Sequence, residues 1–246
     1  MPGMQLERLL HAQGFGSRKE CRALIRAGLV SVAGVPCEDP NADFDPGSSN
    51  GSPGLEFSVD DEVWHFRAQR YLMLHKPAGY ECSHKPTFHP AVFRLLPPQF
   101  LPINVQCVGR LDQDTTGLLL LSDDGQFIHH WSSGKKRTPK VYEVTLKHPV
   151  TDDLVRQLLA GVELHEDNEV VAAVACSQTG DHTLQLTLCE GKYHQVKRMI
   201  GAAGNRVEGL HRSQVGGLIL DPALAPGQWR YLEAADLQQL ADHPEY

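Results

Sequence analysis

The chain has 246 residues, 41% of them hydrophobic, which is enough for one large domain or for a large and a small one. The formal net charge of −7 excludes a uniformly basic surface. No apolar run approaches the ~18 residues that span a bilayer. The N-terminus lacks a secretory signal pattern, so we expect a cytoplasmic protein with no membrane partner. The six cysteines are scattered without a CxxC pair, which disfavours a zinc or thioredoxin-type site.

Positive charge is concentrated in three segments, although the whole chain is acidic. Residues 1–28 carry five basic and two acidic side chains, a balance of +3. Residues 131–147 carry five basic side chains and one acid, and residues 191–214 have the same composition. Residues 35–63 carry eight acids and no lysine or arginine. RNA phosphates are attracted by the basic side chains near them more than they are repelled by the net charge of the whole chain. These segments are therefore compatible with RNA binding. The alternative for each segment is a charged surface that is simply exposed to solvent and binds nothing.

The first 46 residues predict a small module. Leucines at 6, 9 and 10 have helical spacing, and Ser17 with Glu20 forms a capping-box pattern that opens a second helix. That helix is expected to end at Gly28 and to be followed by a hairpin over residues 30–35. Four basic residues project from its polar side: Arg18, Lys19, Arg22 and Arg26. The alternative to an RNA-binding module is a simple helical cap.

A change of composition separates this module from the rest of the chain. Residues 46–54 are rich in glycine, proline and serine, so we expect a flexible hinge there and a linker over residues 47–67. Strands and helices then alternate through residues 68–246, which predicts an α+β body with a mixed, mainly antiparallel sheet. The predicted strands are 71–74, 118–121, 141–146 and 184–188, and the predicted helices are 126–132, 151–161 and 193–203.

The most distinctive segment is GRLDQDTTGLLLLSDDG, residues 109–125. It presents Asp112 on a polar turn immediately before a leucine-rich strand, and catalytic groups often lie on loops held by such a scaffold. The segment resembles the catalytic loop of the pseudouridine synthases, in particular the RsuA-like family. The resemblance implies that Asp112 is the catalytic carboxylate. The other acids of the segment are interpreted as turn residues: Asp114, Asp123 and Asp124.

Two further segments resemble motifs of the same family. In TPKVY, residues 138–142, the resemblance implies that Tyr142 stacks on the target base, which loses its stacking partners when it is extruded. In EGKYHQVKRM, residues 190–199, it implies that a cation pairs with Asp112. Such a cation holds a carboxylate ionised and oriented. The residues leave Lys197 and Arg198 both open for this role, the family pattern favours Lys197, and the other residue would face phosphate.

The resemblance covers nearly the whole chain, including HKPAGY at residues 75–80, where His75 replaces the family's usual asparagine. It implies a pseudouridine synthase fold preceded by a small S4-like RNA-binding domain. It also implies a wider set of RNA-binding residues: Arg18, Lys19, Arg22, Arg26, Arg110, Lys140, Lys192, His194 and Arg212.

The implied reaction isomerises a uridine of ribosomal RNA, with 16S RNA as the expected target. The bond from C1′ to N1 breaks and C5 is rejoined to C1′, so no cofactor or metal is expected. Asp112 either adds to the sugar or removes a proton from C2′, and the second route is mildly preferred. We expect a monomer that acts on ribosomal RNA or on an assembling small subunit.

Three alternatives stay open at this stage. The first is a 23S ribosomal RNA synthase of the same branch. The second is a catalytically inactive RNA-binding assembly factor. The third is a metal-dependent phosphohydrolase whose ligands are the four acids of residues 112–124.

Overall fold

The structure is a computed structural model, and it describes residues 3–47, 53–164 and 169–242. Short helices and strands make up its N-terminal part. They are β1 (Met4–Gln5), α1 (Leu6–Ala12), α2 (Arg18–Arg26), β2 (Val30–Val32), β3 (Val35–Pro36), β4 (Asp43–Phe44), β5 (Glu56–Val59) and β6 (Glu62–His65). Strands β1 and β4 pair with each other, and the other four form a sheet in the order β3-β2-β5-β6.

The local signals in this part are confirmed. The side chain of Ser17 accepts a hydrogen bond from the backbone of Glu20, and the Glu20 carboxylate accepts one from the backbone of Ser17, which completes the capping box of α2. The leucines of α1 pack against Cys21 and Ile25 of α2 in a core of their own. The basic side chains of α2 therefore lie on its exposed side.

The predicted linker over residues 47–67 is wrong in its second half. Strand β5 pairs with β2 and with β6, and Phe57, Val59 and Phe66 are buried in the same core as α1 and α2. The alternation of Phe57 and Val59 with polar residues is a strand signal that the acidic composition concealed. Asp60 and Asp61 both have positive φ, as a two-residue hairpin turn requires. Within the expected hinge, residues 48–52 lie outside the described residues.

The second part is built on one large sheet with helices at its faces. Its strands are β7 (Tyr71–Lys76), β8 (Gln106–Cys107), β9 (Thr116–Ser122), β10 (Lys140–Leu146), β11 (Val162–Leu164), β12 (Glu169–Val171), β13 (Ala175–Gly180), β14 (Thr183–Leu188), β15 (Val207–Val215), β16 (Leu218–Ile219) and β17 (Trp229–Tyr231). Its helices are α3 (Gly125–Ser132), α4 (Asp152–Ala160), α5 (Gln195–Ala202) and α6 (Ala234–Ala241).

The sheet is mixed and mainly antiparallel, as predicted. Its strand order is β13-β14-β10-β15-β9-β7-β17, with β8 added to β9 and β16 added to β15. Strands β15 and β9 run parallel, and the other pairings in this sheet are antiparallel. Strands β11 and β12 form a separate hairpin.

The four leucines of β9 lie in the centre of the sheet, between β15 and β7. Leu119 and Leu121 pack into the larger core on one face, whereas Leu118 and Leu120 pack into a second core on the other. A strand buried on both faces has a continuous rather than an alternating apolar sequence. Gly117 begins this run with a φ of +105°, and a Cβ there would meet the backbone of Arg212 at 2.2 Å. The close approach of β15 to β9 therefore requires glycine.

The helix predicted over residues 193–203 starts later in the structure than in the prediction. Helix α5 begins at Gln195, and His194 before it has a left-handed φ of 49°. Tyr193 and His194 are consequently in the loop that leads into α5, where their side chains face a cleft. Among the described residues, no helix combines the length and apolarity that crossing a membrane requires.

Candidate active site

Asp112 lies in the loop that connects β8 to β9, just before the first residue of β9, an interior strand of the sheet. The neighbouring Leu111 is buried in the larger core, and the backbone N–H of Thr115 donates to the Asp112 carbonyl at 3.1 Å. These contacts close a tight turn, so the half-buried Asp112 carboxylate is presented from a fixed backbone.

The buried side chain of Lys76 holds this loop in place. Its side chain is 0% exposed, and its Nζ donates to the carbonyls of Pro77, Asp112, Gln113 and Thr115 at 2.9–3.2 Å. Burial lowers the pKa of Lys76 from its ordinary value, while the nearby carboxylates act in the opposite direction. Sequence reasoning assigned Lys76 no role. The available signal was a lysine at the end of an otherwise apolar strand.

We expect Lys76→Met to lower the free energy of unfolding by about 3 kcal/mol, because several buried carbonyls lose a charged donor. Urea unfolding of the variant measures this change. Lys147→Met is the matched control, since Lys147 is exposed on the same domain. A Lys76→Met protein as stable as the control would show that the four contacts do not hold the loop.

Lys197, on the first turn of α5, bridges two carboxylates of the loop. Its Nζ lies 3.2 Å from an Asp112 oxygen and 2.7 and 2.9 Å from the two oxygens of Asp114. Burial acts to lower the pKa of Lys197, but hydrogen bonds to Asp114 and Asp112 outweigh it and raise the pKa above its usual value. Burial acts to raise the pKa of Asp114, and Lys197 reverses this and lowers it. The cation is therefore held charged beside Asp112.

Asp114 is a second site residue that its local sequence does not reveal, since the pattern around it predicts an ordinary turn residue. Its ion pair joins residues 83 positions apart, and no local spacing reveals such a contact. Arg198, the alternative cation, donates to the Tyr193 carbonyl at 3.3 Å. The geometry thus brings Lys197 to Asp112 and turns one nitrogen of Arg198 toward the loop before α5.

His194 forms a second contact with the Asp112 carboxylate. Its Nε2 lies 3.4 Å from an Asp112 oxygen, and its ring stacks on Tyr193 with a centroid distance of 3.8 Å. A left-handed backbone at His194 directs the side chain toward Asp112 instead of into the helix. The carboxylate therefore lies between a lysine and an imidazole.

Tyr142, on β10, lines the same small pocket as Asp112, together with apolar side chains of Leu111, Leu188 and Val196. Tyr142 is buried in the larger core, so its ring is fixed by packing on the sheet. A pocket with a carboxylate, a cation and an aromatic wall can hold a planar base beside a reactive group.

Lys140 and Arg212 line an adjacent cavity of about 140 Å³ that Tyr142 also borders. Arg212 is 3% exposed and donates through Nε to the Leu118 carbonyl at 2.9 Å, so it reaches this cavity from a buried position. Its long-range pairing on β15, next to β9 and β10, explains this burial. Burial, reinforced by the charge of Arg212, lowers the pKa of Lys140 to about 8.

The remaining predicted RNA-binding residues occupy two places. Arg110 and Lys192 line a larger cleft in front of Asp112, and Lys192 forms ion pairs with Glu169 and Glu190. The four basic residues of α2 are exposed on the N-terminal part. Arg22 is engaged there by the buried Glu7 carboxylate through two hydrogen bonds.

The acids expected of a phosphohydrolase are not gathered in one site. Asp123 forms an ion pair with Arg70, and Asp124 caps α3 and accepts from the Tyr71 hydroxyl. Both follow β9, whereas Asp112 and Asp114 precede it, and seven strand residues span roughly 20 Å. Within residues 3–47, 53–164 and 169–242, no group of three histidine, cysteine or acidic side chains is arranged to hold a metal. The four-acid hypothesis is therefore wrong.

Comparison with known proteins yields the same family by independent routes. A family model for RNA pseudouridylate synthase matches residues 70–202, and an S4 domain model matches residues 4–48. The uncharacterized RNA pseudouridine synthase YtzG of Bacillus subtilis is 38% identical over 96% of this chain and 98% of its own. Ribosomal small subunit pseudouridine synthase A of Yersinia pestis is 42% identical over 95% of this chain and 97% of its own.

A solved structure extends the agreement to the fold. A crystal structure of pseudouridylate synthase aligns with 97% of this chain and 100% of its own, with a TM-score of 0.67 and 31% sequence identity. Because the family model spans more than half of the chain and the relatives align along nearly all of it, the chain belongs to the RNA pseudouridylate synthases, in the RsuA-like family that carries an N-terminal S4 domain.

Proposed function

We propose that the protein isomerises one uridine of ribosomal RNA to pseudouridine, with small-subunit 16S RNA as its target and Asp112 as its catalytic carboxylate. One observation carries the catalytic part: the Asp112 carboxylate lies 3.2 Å from the Lys197 ammonium, in a pocket that Tyr142 lines. The target class is supported by the relatives from Yersinia pestis and Escherichia coli, both named ribosomal small subunit pseudouridine synthase A.

In this proposal each side chain has a separate task. Tyr142 stacks on the extruded uracil, and Lys197 holds the Asp112 carboxylate ionised and oriented. Asp112 removes the C2′ proton or adds to C1′, the C1′–N1 bond breaks, and the uracil turns within the pocket. C5 then bonds to C1′, and this step either displaces the Asp112 carboxylate from C1′ or is accompanied by return of the proton to C2′. C5 finally loses its proton and N1 gains one, so the product is an isomer of the substrate. The apolar walls formed by Leu111, Leu188 and Val196 retain the detached base.

The catalytic domain in this proposal comprises residues 68–246, and the S4 module before it binds RNA. A single copy acts in the cytoplasm on an assembling small subunit, without a cofactor or metal. Arg110, Lys192 and the inner cations Lys140 and Arg212 contact the RNA near the target nucleotide. Arg198 faces phosphate, and His194, whose Nε2 lies 3.4 Å from an Asp112 oxygen, contacts the RNA beside the carboxylate.

The test of the target is direct conversion. Purified full-length protein is incubated with 16S transcript, with 23S transcript and with partly assembled small subunits, and pseudouridine is mapped by chemical modification and reverse transcription. The proposal expects one modified position in 16S RNA. If only 23S RNA is modified, the protein is a large-subunit synthase. Tight binding without any conversion would indicate a catalytically inactive assembly factor.

We expect the triple replacement Arg18→Gln, Lys19→Gln, Arg26→Gln to weaken RNA binding and to reduce the salt slope of log affinity by roughly two to three, since three phosphate contacts are lost. Filter binding at several salt concentrations measures both. Arg156→Gln is the control, because Arg156 is equally exposed but pairs with Asp153 on α4. An unchanged salt slope in the triple variant would remove α2 from the RNA footprint.

We expect RNA affinity to fall about tenfold as the pH rises from 7 to 9, because Lys140 has a pKa of about 8 and loses its proton in this range. The fall corresponds to one charge-assisted hydrogen bond of about 1.5 kcal/mol. Lys140→Arg keeps the charge throughout, so its affinity should stay level while the wild-type affinity declines. Parallel declines in the two proteins would mean that Lys140 is not the titrating group.

A further inference from the structure

The carboxylate of Glu81 braces the loop that follows β7, residues 77–91. Glu81 accepts hydrogen bonds from the backbone N–H groups of Thr87, Phe88 and His89 at 2.8–2.9 Å. These bonds lower the pKa of Glu81, so the carboxylate stays charged and the bonds persist at neutral pH. Backbone bonds between Glu81 and Pro90 and between Glu81 and Val92 close the base of the loop. The loop tip is therefore held in place by the protein itself.

The tip presents an aromatic ring to solvent. The Phe88 side chain is 88% exposed, and it lines a cleft of about 780 Å³ that also contains Asp112. An apolar ring held outward on a braced loop gains no packing energy for the fold, since burial is what makes phenylalanine stabilising. Because the ring lies in the cleft that contains Asp112, it is placed to contact a flat apolar surface of the substrate.

Tyr193 supplies a second exposed ring in the same cleft. It is 70% exposed, and one face of its ring stacks on His194, which contacts Asp112 at 3.4 Å. Phe88 and Tyr193 come from segments that enclose the cleft, one after β7 and one before α5.

We propose that Phe88 and Tyr193 stack on the nucleobases that flank the target uridine, one ring on each neighbour. The proposal rests on the proposed function and adds a substrate-positioning site to it. Extruding a uridine removes the stacking of both adjacent bases, and an aromatic side chain replaces such a contact without regard to base identity. Arg110 and Lys192 line the same cleft and provide positive charge for the RNA backbone.

The charge of the cleft selects RNA over an apolar protein segment as its occupant. Arg110, Lys192 and Lys197 all line it. Of its acids, Glu81 is occupied by the loop backbone, and Asp112 and Asp114 are paired with Lys197. Lys192 is itself paired with Glu169 and Glu190, so the positive charge beside the exposed rings comes from Arg110. Exposed rings next to a cation match the stacking platforms that bind single-stranded nucleic acid.

The experiment separates stacking from general apolar contact. The full-length protein is mixed with a short single-stranded RNA in which 2-aminopurine lies on either side of one uridine, and its fluorescence and binding are measured. Phe88→Ala should weaken RNA binding about tenfold and reduce the quenching of 2-aminopurine fluorescence. Phe88→Trp should restore both, whereas Phe88→Leu should restore neither, because leucine has apolar area but no ring face. Tyr193→Ala should affect the 2-aminopurine on the other side.

Ile219→Ala is the matched control, since Ile219 is 62% exposed and belongs to β16, away from the cleft. Binding and quenching by Phe88→Ala equal to those of this control would overturn the proposal, and so would full recovery by Phe88→Leu. The fluorescence test needs no turnover, so its failure is distinct from failure of the proposed function. That second failure would appear as wild-type protein that quenches 2-aminopurine but forms no pseudouridine in ribosomal RNA.

Discussion

Replacing Asp112 by asparagine is expected to lower the rate of pseudouridine formation by about 10⁴-fold or more, the scale of losing an essential general base or nucleophile. The carboxamide has nearly the shape of the carboxylate, so the loop held by Lys76 and the fold should be retained. RNA binding should change little, because the cations that we propose to contact the RNA backbone are all present. Single-turnover conversion of 16S RNA, together with an equilibrium binding measurement, distinguishes these two effects.

Asp114→Asn is the matched control, because Asp114 is in the same loop and shares Lys197 with Asp112. Its rate should stay within about tenfold of the wild type, since the cation remains beside Asp112. Full activity of Asp112→Asn would eliminate Asp112 as the catalytic carboxylate. Equal losses of rate in Asp112→Asn and Asp114→Asn would mean that the total negative charge of the loop determines the rate, and that Asp112 has no separate role.

Replacing Lys197 by methionine is expected to reduce kcat by about 10²- to 10³-fold with a smaller change in KM. Methionine fills the space of the lysine stem but leaves the carboxylates of Asp112 and Asp114 together without their cation. Removing one partner of a half-buried ion pair leaves the other charges uncompensated, which costs about 3 kcal/mol. The defect should appear mainly in the chemical step, so rapid-quench measurement of one turnover is the suitable assay.

The double variant Lys197→Met, Asp114→Asn tests the physical cause. With Asp114 neutral, Asp112 no longer faces a second negative charge, so the double variant should be faster than Lys197→Met alone. Arg198→Gln serves as the comparison for the neighbouring cation and should affect affinity more than kcat. A larger kcat defect in Arg198→Gln than in Lys197→Met would exchange the roles of the two residues.

Much of the fold was predictable because its signals are local. The capping box of α2, the apolar strand β7 and the leucine-rich strand β9 depend on side-chain periodicity and on backbone capping, which neighbouring residues determine. The prediction failed where composition was used in place of periodicity. The composition of residues 47–67 predicts a linker, but β5 and β6 lie within it, and the buried residues Phe57 and Val59 alternate with polar ones as a strand.

The site was only partly predictable, for a related reason. Its motifs are recognisable one at a time, yet the residues that convert them into a site meet through the sheet. Arg212 is buried because β15 is inserted between β9 and β10, and no pattern near residue 212 indicates that strand order. Lys76 reaches the Asp112 loop only because β7 pairs with β9.

The sequence by itself determined the family, the loop that bears Asp112 and the secondary structure around it, because each depends on residues close together in the chain. Only the tertiary structure decided that Lys197 bridges Asp112 and Asp114, that Lys76 fixes the loop from below, and that Phe88 faces the same cleft. These relations depend on strand order and on the packing of α5 near the loop. Contacts between distant segments arise from burial and pairing of the whole sheet, and local spacing does not encode them.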